Sequence, residues 1–274
     1  MDEEPKEKGI HQWNDIAQFP EHLKKYWHQR FKIWQYYHKG IWMTEDAWFG
    51  VTPEPIAKYE NRIFNAGEGC TLTFQSKIAI HIAESAPKEK TVIVDAFAGV
   101  GGNAIAFARN GHFEQVFAIE KDPKTMKCAK HNAQVYGVDK KIVWVTGDCF
   151  DVIKRRFSGN TNIIIFASPP WGGIYLASFR WSILMRIGTE YSNEDVFDLS
   201  KMEPYNLEKL YTSFSKYSKN VVLYLPRTSD LNQIARYAPE GEKVEVAHYC
   251  VMGASKALCA YYGNFDFEGE AAAA

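Results

Sequence analysis

The chain has 274 residues, of which 46% are hydrophobic and 24% are charged, and its formal net charge at pH 7 is −1. This composition suits one sizeable globular core with at most an appended element. The charge balance argues against a long basic surface along a nucleic acid. An RNA substrate would therefore have to be held at one small site.

The five cysteines lie at scattered spacings, without a Cys-x-x-Cys pair or a zinc-type Cys/His cluster. Such usage predicts reduced, mostly buried thiols, no structural metal and an intracellular protein. The charged start Met1–Gly9 does not resemble a signal peptide, and no apolar run approaches the ~20 residues that span a bilayer. We therefore expect a soluble chain without a membrane segment.

Aromatic side chains crowd the first fifty residues. One helical stripe within them is formed by Leu23, Trp27, Phe31 and Trp34. Apolar residues at this spacing predict a helix that packs against the main domain rather than one that contacts a ligand. Further along, Thr52 followed by Pro53 is typical of a helix start, with the threonine as its cap. These features predict a helical extension over residues 1–52.

A regular alternation of strand-like and helix-like segments begins at residue 91. Seven runs rich in β-branched residues predict strands at Thr91–Asp95, Val116–Glu120, Ile142–Thr146, Asn162–Phe166, Val221–Leu225, Lys243–Val251 and Lys256–Tyr262. Helical segments such as Pro123–Tyr136, closed by Gly137, separate the first five strands and predict a parallel α/β sheet. The last two strands have no helix between them and predict an edge hairpin. We expect the main domain over 53–267 and a disordered tail over 268–274.

The segment Val92–Asn103 has the order of a strand, a glycine loop and a helix start. Glycine at Gly99 and Gly101 lets the backbone turn sharply and approach a ligand closely. Dinucleotide-binding folds share such a loop, but the spacing here lacks the full Gly-x-Gly-x-x-Gly fingerprint for a pyrophosphate. Asp95 ends the strand before the loop, where a carboxylate can meet a positively charged methionine moiety.

Acidic residues follow three successive strands of the predicted sheet. Glu120 ends the second strand, where a carboxylate can accept both hydroxyls of an adenosine ribose. Asp148 follows the third strand and could receive an adenine amino group. An acid at one such position is often only a helix cap. Three acids at one carboxyl edge, counting Asp95, predict an S-adenosylmethionine site rather than an NAD site.

The segment Ala167–Gly173 follows the fourth strand and lies at that same edge. Methyl transfer to an amine on a planar base requires acceptors that hold the amine and a flat partner that clamps the ring. Ser168 and Pro169 offer a hydroxyl and carbonyls in fixed directions, and Trp171 offers the largest aromatic face. The alternative is a Pro-Pro turn beside a tryptophan that belongs to the core.

Six motifs extend this pattern along the chain. They are Asp-Ala-Phe-x-Gly-Val-Gly-Gly-Asn at 95–103, Asn-Ala-x-x-Tyr-Gly at 132–137, Ser-Pro-Pro-Trp-Gly-Gly at 168–173, Leu-Pro-Arg at 225–227, Lys25-Tyr26-Trp27, and Trp48-Phe49-x-Val51-Thr52-Pro53-Glu54. Together they resemble the trimethylguanosine synthase family, over residues 22–265. The resemblance implies a Rossmann-like class I methyltransferase fold with a seven-stranded, mostly parallel sheet, an edge hairpin and an N-terminal helical extension. It also implies two successive methyl transfers that convert a 7-methylguanosine RNA cap to the 2,2,7-trimethyl form.

The resemblance assigns roles to individual residues. The catalytic residues would be Ser168, Pro169 and Trp171, with the tryptophan stacked on the methylated base and the other two holding the amine. The cofactor would be S-adenosylmethionine, held by Phe49, Thr52, Asp95, Phe97, Gly99, Gly101, Glu120 and Asp148. The substrate would be held by Trp171, Asn132, Arg227 and Tyr191, with Asn132 on the guanine and Arg227 on the cap phosphates. Glu120 stands where the family usually has Asp, which lengthens the side chain by one methylene.

The substrates implied are 7-methylguanosine-capped small nuclear and nucleolar RNAs. Ribonucleoprotein core proteins are candidate partners, and neither a membrane nor a metal is expected to take part. The expected location is the nucleus, including the nucleolus, with the cytoplasm as an alternative. An amine methyltransferase acting on guanine or adenine inside RNA or DNA stays open as an alternative, because it would share the cofactor loop and the Ser-Pro-Pro-Trp turn. A catalytically silent cap-binding scaffold is a second alternative, which the three intact cofactor acids disfavour.

Two segments depart from the family pattern. Ile174–Thr189 separates Gly173 from the acidic segment that the family carries directly after it, and Glu60–Gln75 splits an expected helix that leads into Ile78. Both segments interrupt the substrate side rather than the cofactor side. An apolar insert there predicts either a partner surface or, as the simpler explanation, a translated intron.

Overall fold

The computed structural model describes residues 5, 7–50, 74–159, 162–171, 196–251 and 254–267. Its centre is a sheet whose strands are β1 Val92–Asp95, β2 Gln115–Glu120, β3 Ile142–Thr146, β4 Ile163–Ala167, β5 Asn220–Pro226, β6 Glu245–Val251 and β7 Ala254–Tyr262. The seven strands lie in the order β3-β2-β1-β4-β5-β7-β6. The first five pair in parallel, whereas β7 runs antiparallel to both β5 and β6.

The register brings the functional ends of the strands to one edge. Asp95 pairs with Ala118 of β2 on one side and with Phe166 of β4 on the other, and Glu120 pairs with Thr146 of β3. A parallel sheet is covered on both faces, so its inner strands are apolar throughout. In accordance with this, every residue of β4 and β5 is buried.

Helices cover the two faces of the sheet. Within the described residues they are α1 Lys24–Trp27, α2 Arg30–Ile33, α3 Ala47–Gly50, α4 Phe74–Ser85, α5 Gly102–Asn110, α6 Pro123–Val135, α7 Cys149–Phe157, α8 Leu207–Phe214 and α9 Leu231–Ala235. Side chains of the first fifty residues share one apolar cluster with α4, α5 and part of α6 on one face. Helices α7, α8 and α9 form the cluster on the opposite face. None of the described helices is long and apolar enough to cross a membrane.

The boundaries of α6 illustrate how local sequence sets the elements. The Asp122 carboxylate accepts a hydrogen bond of 2.7 Å from the Thr125 amide, and Pro123 occupies the first helical position, where its missing N–H costs nothing. Beyond the end of the helix, Gly137 takes a left-handed φ of 69°, a conformation that glycine adopts without steric penalty. The predicted helix over Pro123–Tyr136 is thus confirmed to within one residue.

All seven predicted strands are present, with ends shifted by at most two residues, and the edge hairpin is confirmed. Several predictions fall outside the described residues. They concern the helix start at Thr52 and Pro53, the insert Ile174–Thr189, most of Glu60–Gln75, and the tail over 268–274.

The predicted aromatic stripe was wrong at one of its four positions. Leu23, Trp27 and Trp34 are buried, but Phe31 is 47% exposed. The helical run breaks between α1 and α2, and Trp34 is already extended at φ −127° and ψ 101°. A continuous helical period therefore does not apply over the whole segment, and the face that should bury Phe31 turns towards solvent.

The extension is fastened to the main domain by one buried amide side chain, that of Asn132 on α6. Its Oδ1 accepts a hydrogen bond of 2.8 Å from the Trp42 amide, and its Nδ2 donates to the Trp42 carbonyl at 2.9 Å. The same Nδ2 donates to the Val100 carbonyl in the glycine loop at 3.0 Å. Asn132 is fully buried, so it joins the extension to the glycine loop where water does not compete.

Aromatic contacts reinforce this junction. The Trp42 indole stacks on the His131 ring with centroids 3.8 Å apart and planes 7° from parallel. Nε2 of His131 donates a hydrogen bond of 2.7 Å to the Gly40 carbonyl. Further along α6, the Tyr36 amide donates to the Tyr136 hydroxyl at 3.3 Å. Three residues near the end of the extension, Tyr36, Gly40 and Trp42, are thus held by side chains that lie about one helical turn apart.

Replacing Asn132 by Ala removes three buried hydrogen bonds and leaves the Trp42 and Val100 backbone groups without partners. We expect Asn132→Ala to lower the free energy of unfolding by roughly 2–4 kcal/mol, measured by urea denaturation. Amides of residues 34–43 should also exchange hydrogen faster in the variant. Gln134→Ala, an exposed change on the same helix, is the matched control and should leave both quantities unchanged. A loss for Asn132→Ala no larger than the control's would contradict the junction described here.

Candidate active site

Four strand ends converge at the carboxyl edge of the sheet. Asp95 ends β1, Glu120 ends β2, Asp148 follows β3, and Ser168 follows β4 directly. Parallel pairing puts these residues side by side, as expected of an open α/β sheet whose site lies outside the carboxyl ends of its strands. Side chains that are more than fifty residues apart in sequence are therefore neighbours here.

Asp95 is the least compensated charge at this edge. Its side chain is fully buried, and neither carboxylate oxygen makes a well-formed hydrogen bond to a described residue. Burial, with a smaller contribution from the nearby Glu120 charge, raises the pKa of this carboxyl to about 7, although the backbone amides of Phe97 and Ala104 oppose the shift. A carboxylate buried without a neighbouring cation is costly to a fold, and carboxyl groups with a strongly shifted pKa cluster at functional sites.

Glu120 organises the loop that follows β1. Its Oε2 accepts a hydrogen bond of 2.9 Å from the Gly99 amide, and its Oε1 accepts one of 2.8 Å from the Asp122 amide. The second bond also orients Asp122, the cap of α6. Glu120 therefore fixes the glycine loop and the start of α6 relative to each other.

Gly99 and Gly101 occupy their positions in the loop for different physical reasons. Gly101 takes φ 94°, and a Cβ there would approach the backbone and side chain of Ala129 in α6 at 3.2 Å. Gly99 takes φ 53°, and a Cβ there would meet no atom of the described residues within 4 Å. Gly101 is therefore needed for helix packing as well as conformation. Open space at Gly99, beside Asp95 and Glu120, is room for a ligand.

Asp148 caps helix α7. Its Oδ1 accepts hydrogen bonds from the Phe150 amide at 3.0 Å and from the Asp151 amide at 3.4 Å. The helix-cap alternative for this residue is thus observed. Both bonds use one oxygen, and the predicted adenine contact stays a prediction.

Three aromatic side chains contact one another near Asp148. Phe97 lies 5.7 Å from the Tyr205 ring, and Tyr205 lies 5.1 Å from Phe150, measured between ring centroids. Burial and the Asp148 charge raise the pKa of Tyr205. Sequence analysis missed Tyr205, because a single tyrosine before a helix carries no spacing signal that would mark it.

The Ser-Pro-Pro-Trp segment lies between the two apolar clusters. Pro169 is buried and Ser168 half-buried. The Trp171 indole packs against both clusters, and its Nε1 donates to the Tyr224 carbonyl at 3.3 Å. Its ring lies 5.4 Å from the Tyr224 ring at an angle of 30°. Tyr224, which sequence analysis also missed, thus sets the direction of the indole plane.

The remaining predicted residues are less closely associated with this edge. Arg227 follows β5 and donates to the Ser255 carbonyl at 3.4 Å, so part of its guanidinium is already engaged. Phe49 of α3 lies 6.0 Å from the Tyr26 ring, within the packing of the extension. Thr52 and Tyr191 lie outside the described residues.

One predicted role needs correction. Asn132 was expected to hydrogen-bond a guanine, but its amide is buried and bonded to Trp42 and Val100. Both its donor hydrogens are in use inside the protein, which leaves none for a base. The structure places Asn132 as the link between the extension and the glycine loop.

Comparison with known proteins decides the family. A family model described as RNA cap guanine-N2 methyltransferase matches residues 90–265. The chain belongs to that family.

Individual relatives agree. Trimethylguanosine synthase of Schizosaccharomyces pombe is 30% identical over 247 residues, which cover 89% of this chain and 87% of that protein. Trimethylguanosine synthase of Saccharomyces cerevisiae is 35% identical over 217 residues, which cover 78% of this chain and 58% of that protein. Among solved structures, an O-methyltransferase of Streptomyces achromogenes covers 70% of this chain and 81% of its own, with 12% identity and a TM-score of 0.46.

The raised pKa of Asp95 predicts a pH-dependent stability. Because the folded pKa of about 7 exceeds the unfolded value near 3.9, the stability that depends on the protonated carboxyl is present below pH ~4 and lost as pH rises through ~7. We expect the free energy of unfolding of the ligand-free protein to fall by up to roughly 4 kcal/mol over this interval from this group. Asp95→Asn should remove that decrease in urea titrations at several pH values.

Asp151→Asn is the control for this measurement, because Asp151 is an exposed carboxylate on α7. Its pH profile should match that of the unchanged protein. If Asp95→Asn also kept the unchanged profile, the carboxyl would be ionised at no cost and the site would not be desolvated.

Proposed function

We propose that the chain transfers methyl groups from S-adenosylmethionine to the exocyclic amine of guanine in a 7-methylguanosine RNA cap, and so forms the 2,2,7-trimethyl cap. Family membership supports the reaction and the cap. The observation that carries the proposal is the half-buried Trp171 at the edge where the buried Asp95 carboxylate lies. The indole of Trp171 suits a cationic base, and the carboxylate of Asp95 suits a cationic cofactor.

The residues at the edge fit S-adenosylmethionine. Among the described residues no cation pairs with the buried Asp95 carboxylate, and the methionine ammonium and sulfonium are cations that such a carboxylate can compensate. The space at Gly99 admits a ligand close to the backbone. Glu120 would hold the ribose hydroxyls, Asp148 would receive the adenine, and Phe97 and the other aromatic side chains would enclose the ring.

The proposed substrate grip rests on the charge of the cap. Methylation at N7 makes the guanine ring cationic, and a cation stacked on a desolvated indole gains on the order of 2 kcal/mol, roughly thirtyfold in affinity. Trp171 is fixed for this purpose, because the Tyr224 carbonyl holds its Nε1 at 3.3 Å. A neutral guanine would gain only the weaker stacking term.

The proposed chemistry is mainly positioning. The cofactor supplies an electrophilic methyl group on a positively charged sulfur. Ser168 and Pro169, fixed directly after β4, would accept hydrogen bonds from the amine and aim its nitrogen lone pair at that methyl carbon. When bound, the cofactor would give up that methyl group to the amine nitrogen while its sulfur keeps the bonding electrons, and the amine would then release a proton to water. No general base is required, so the rate would depend on orientation and electrostatics.

We also propose a location and a set of substrates. Capped small nuclear and nucleolar RNAs in the nucleus are the proposed substrates, with ribonucleoprotein proteins as partners that present them. Among the described residues, no group of three or more His, Cys, Asp or Glu side chains could hold a metal ion. An amine methyltransferase for internal bases would use the same residues but would not require the N7 charge.

Two substitutions separate the proposed roles. Trp171→Ala should reduce turnover of 7-methyl-GTP by at least about thirtyfold, because the stacking partner is lost, while cofactor affinity measured by calorimetry stays unchanged. Asp95→Ala should weaken cofactor binding by on the order of tenfold or more, because a charged partner is lost. Trp171→Phe, which keeps a flat ring, should retain part of the activity. If Trp171→Ala lost the cofactor as severely as Asp95→Ala, the assignment of the two roles would be wrong.

A further inference from the structure

A basic and aromatic surface lies on the outer side of the extension. We call it the outer patch, and it consists of Arg30, Phe31, Lys32, His38 and Lys39. All but Arg30 are exposed, and Arg30 is half-buried. None of the five takes part in the cofactor or cap contacts proposed above.

An exposed aromatic ring is the first unusual feature of the patch. Phe31 is 47% exposed, one of few large apolar side chains of the described residues that face solvent. The Arg30 guanidinium lies 4.4 Å from its ring centroid and 4.0 Å from that of the buried Trp27. The His38 ring lies 6.3 Å from that of Phe31. Phe31 is therefore held in place by its neighbours while its outer surface stays open.

Uncompensated positive charge is the second feature. The stretch Glu21–Lys39 carries five basic residues and one acidic residue, in a chain whose net charge is −1. The acidic one, Glu21, pairs with Lys24. Within the described part of the chain, Arg30, Lys32 and Lys39 form no ion pair, and the Lys39 ammonium rests over the Tyr36 ring at 4.2 Å. Whole-chain charge had suggested no basic surface, because the remaining residues are net acidic and mask this one.

Tyr36, which lies beneath the Lys39 ammonium, relates the patch to the active-site edge. The Arg109 guanidinium of α5 lies 5.7 Å from the centroid of the Tyr36 ring, and α5 begins at Gly102, directly after the glycine loop. From Gly102 to Arg109 the helix advances ~10 Å. That distance spans about three phosphates at the ~3.4 Å spacing of a stacked strand. A strand that leaves the active-site edge reaches the patch within a few nucleotides.

We propose that the outer patch binds the single-stranded RNA that directly follows the cap. This inference rests on the proposed function, since it needs a capped RNA at the neighbouring edge. Phe31 would stack on a base, and Lys32, Lys39 and Arg30 would contact phosphates, the combination by which single strands are held without regard to sequence. A duplex would not suit the patch, because its bases are already stacked and cannot meet Phe31.

The test compares a substrate that reaches the patch with one that does not. The short substrate is 7-methyl-GTP, and the long one is a capped, unstructured RNA of about 20 nucleotides, longer than the ~4–16 nucleotides of common single-strand sites. For the full chain with Phe31→Ala, Lys32→Ala and Lys39→Ala combined, we expect KM for the capped RNA to rise about tenfold. KM for 7-methyl-GTP should stay unchanged.

Salt dependence gives a second readout that a merely structural role would not move. Losing two phosphate contacts to a single strand should reduce the slope of log KM against log salt by about 1.4 for the capped RNA. Lys154→Ala with Arg156→Ala is the matched control, because both residues are exposed on α7 at the opposite face of the sheet. The control should behave as the unchanged protein with both substrates.

Two results would overturn the proposal. One is an unchanged KM for the capped RNA in the triple variant, whether or not the unchanged protein distinguishes the two substrates. The other is an equal loss on both substrates, which would place the patch in the cap site or in folding. Failure of the proposed function looks different, because the unchanged protein would then methylate neither 7-methyl-GTP nor capped RNA.

Discussion

The burial of the Asp95 carboxylate is the constraint on which the site depends. β1 lies between β2 and β4 in a sheet covered on both faces, so the residue that ends it has no access to water. Ionising that carboxyl alone is costly, and its pKa rises to about 7. The cost falls when a cation arrives, and this makes a cationic methyl donor the natural ligand. The Glu120 charge also raises the pKa of Asp95. Glu120 in addition accepts hydrogen bonds from the amides of Gly99 and Asp122, so it fixes the conformation of the loop.

The extension matters because it is joined to that loop rather than only packed beside it. Asn132 bonds the backbone of Trp42 in the extension and of Val100 in the loop through one amide group. Displacing the extension would therefore break two of the three hydrogen bonds that fix the Asn132 amide, whose third bond holds the glycine loop. The cofactor edge and the extension that carries the outer patch are thus joined through one side chain, although they are built from distant parts of the sequence. Coupling between the extension and the glycine loop needs contiguous contacts, and these contacts run through α6.

Much of the fold could be predicted from sequence because its signals are local. The β-branched runs, Asp122 and Pro123 at the start of α6, and Gly137 after its end each specify their element through neighbouring residues. The strand-end acids could be placed on one edge because parallel strands allow no other arrangement.

What failed depended on tertiary partners. Asn132 was predicted to bind the substrate, because nothing in the neighbouring sequence reveals that its side-chain amide hydrogen-bonds with the backbone of Trp42, ninety positions earlier. Phe31 was expected in the core because a break between two short helices is not visible as a change of period. Tyr205 and Tyr224 were missed for the same reason, since only the folded chain brings them to Phe97 and Trp171.

The requirement for a cationic guanine is tested most directly by mass spectrometry of the products after incubation with S-adenosylmethionine and either 7-methyl-GTP or GTP. We expect 7-methyl-GTP to gain one and then two methyl groups while GTP stays unmodified. Equal modification of both would contradict the proposed role of the N7 charge.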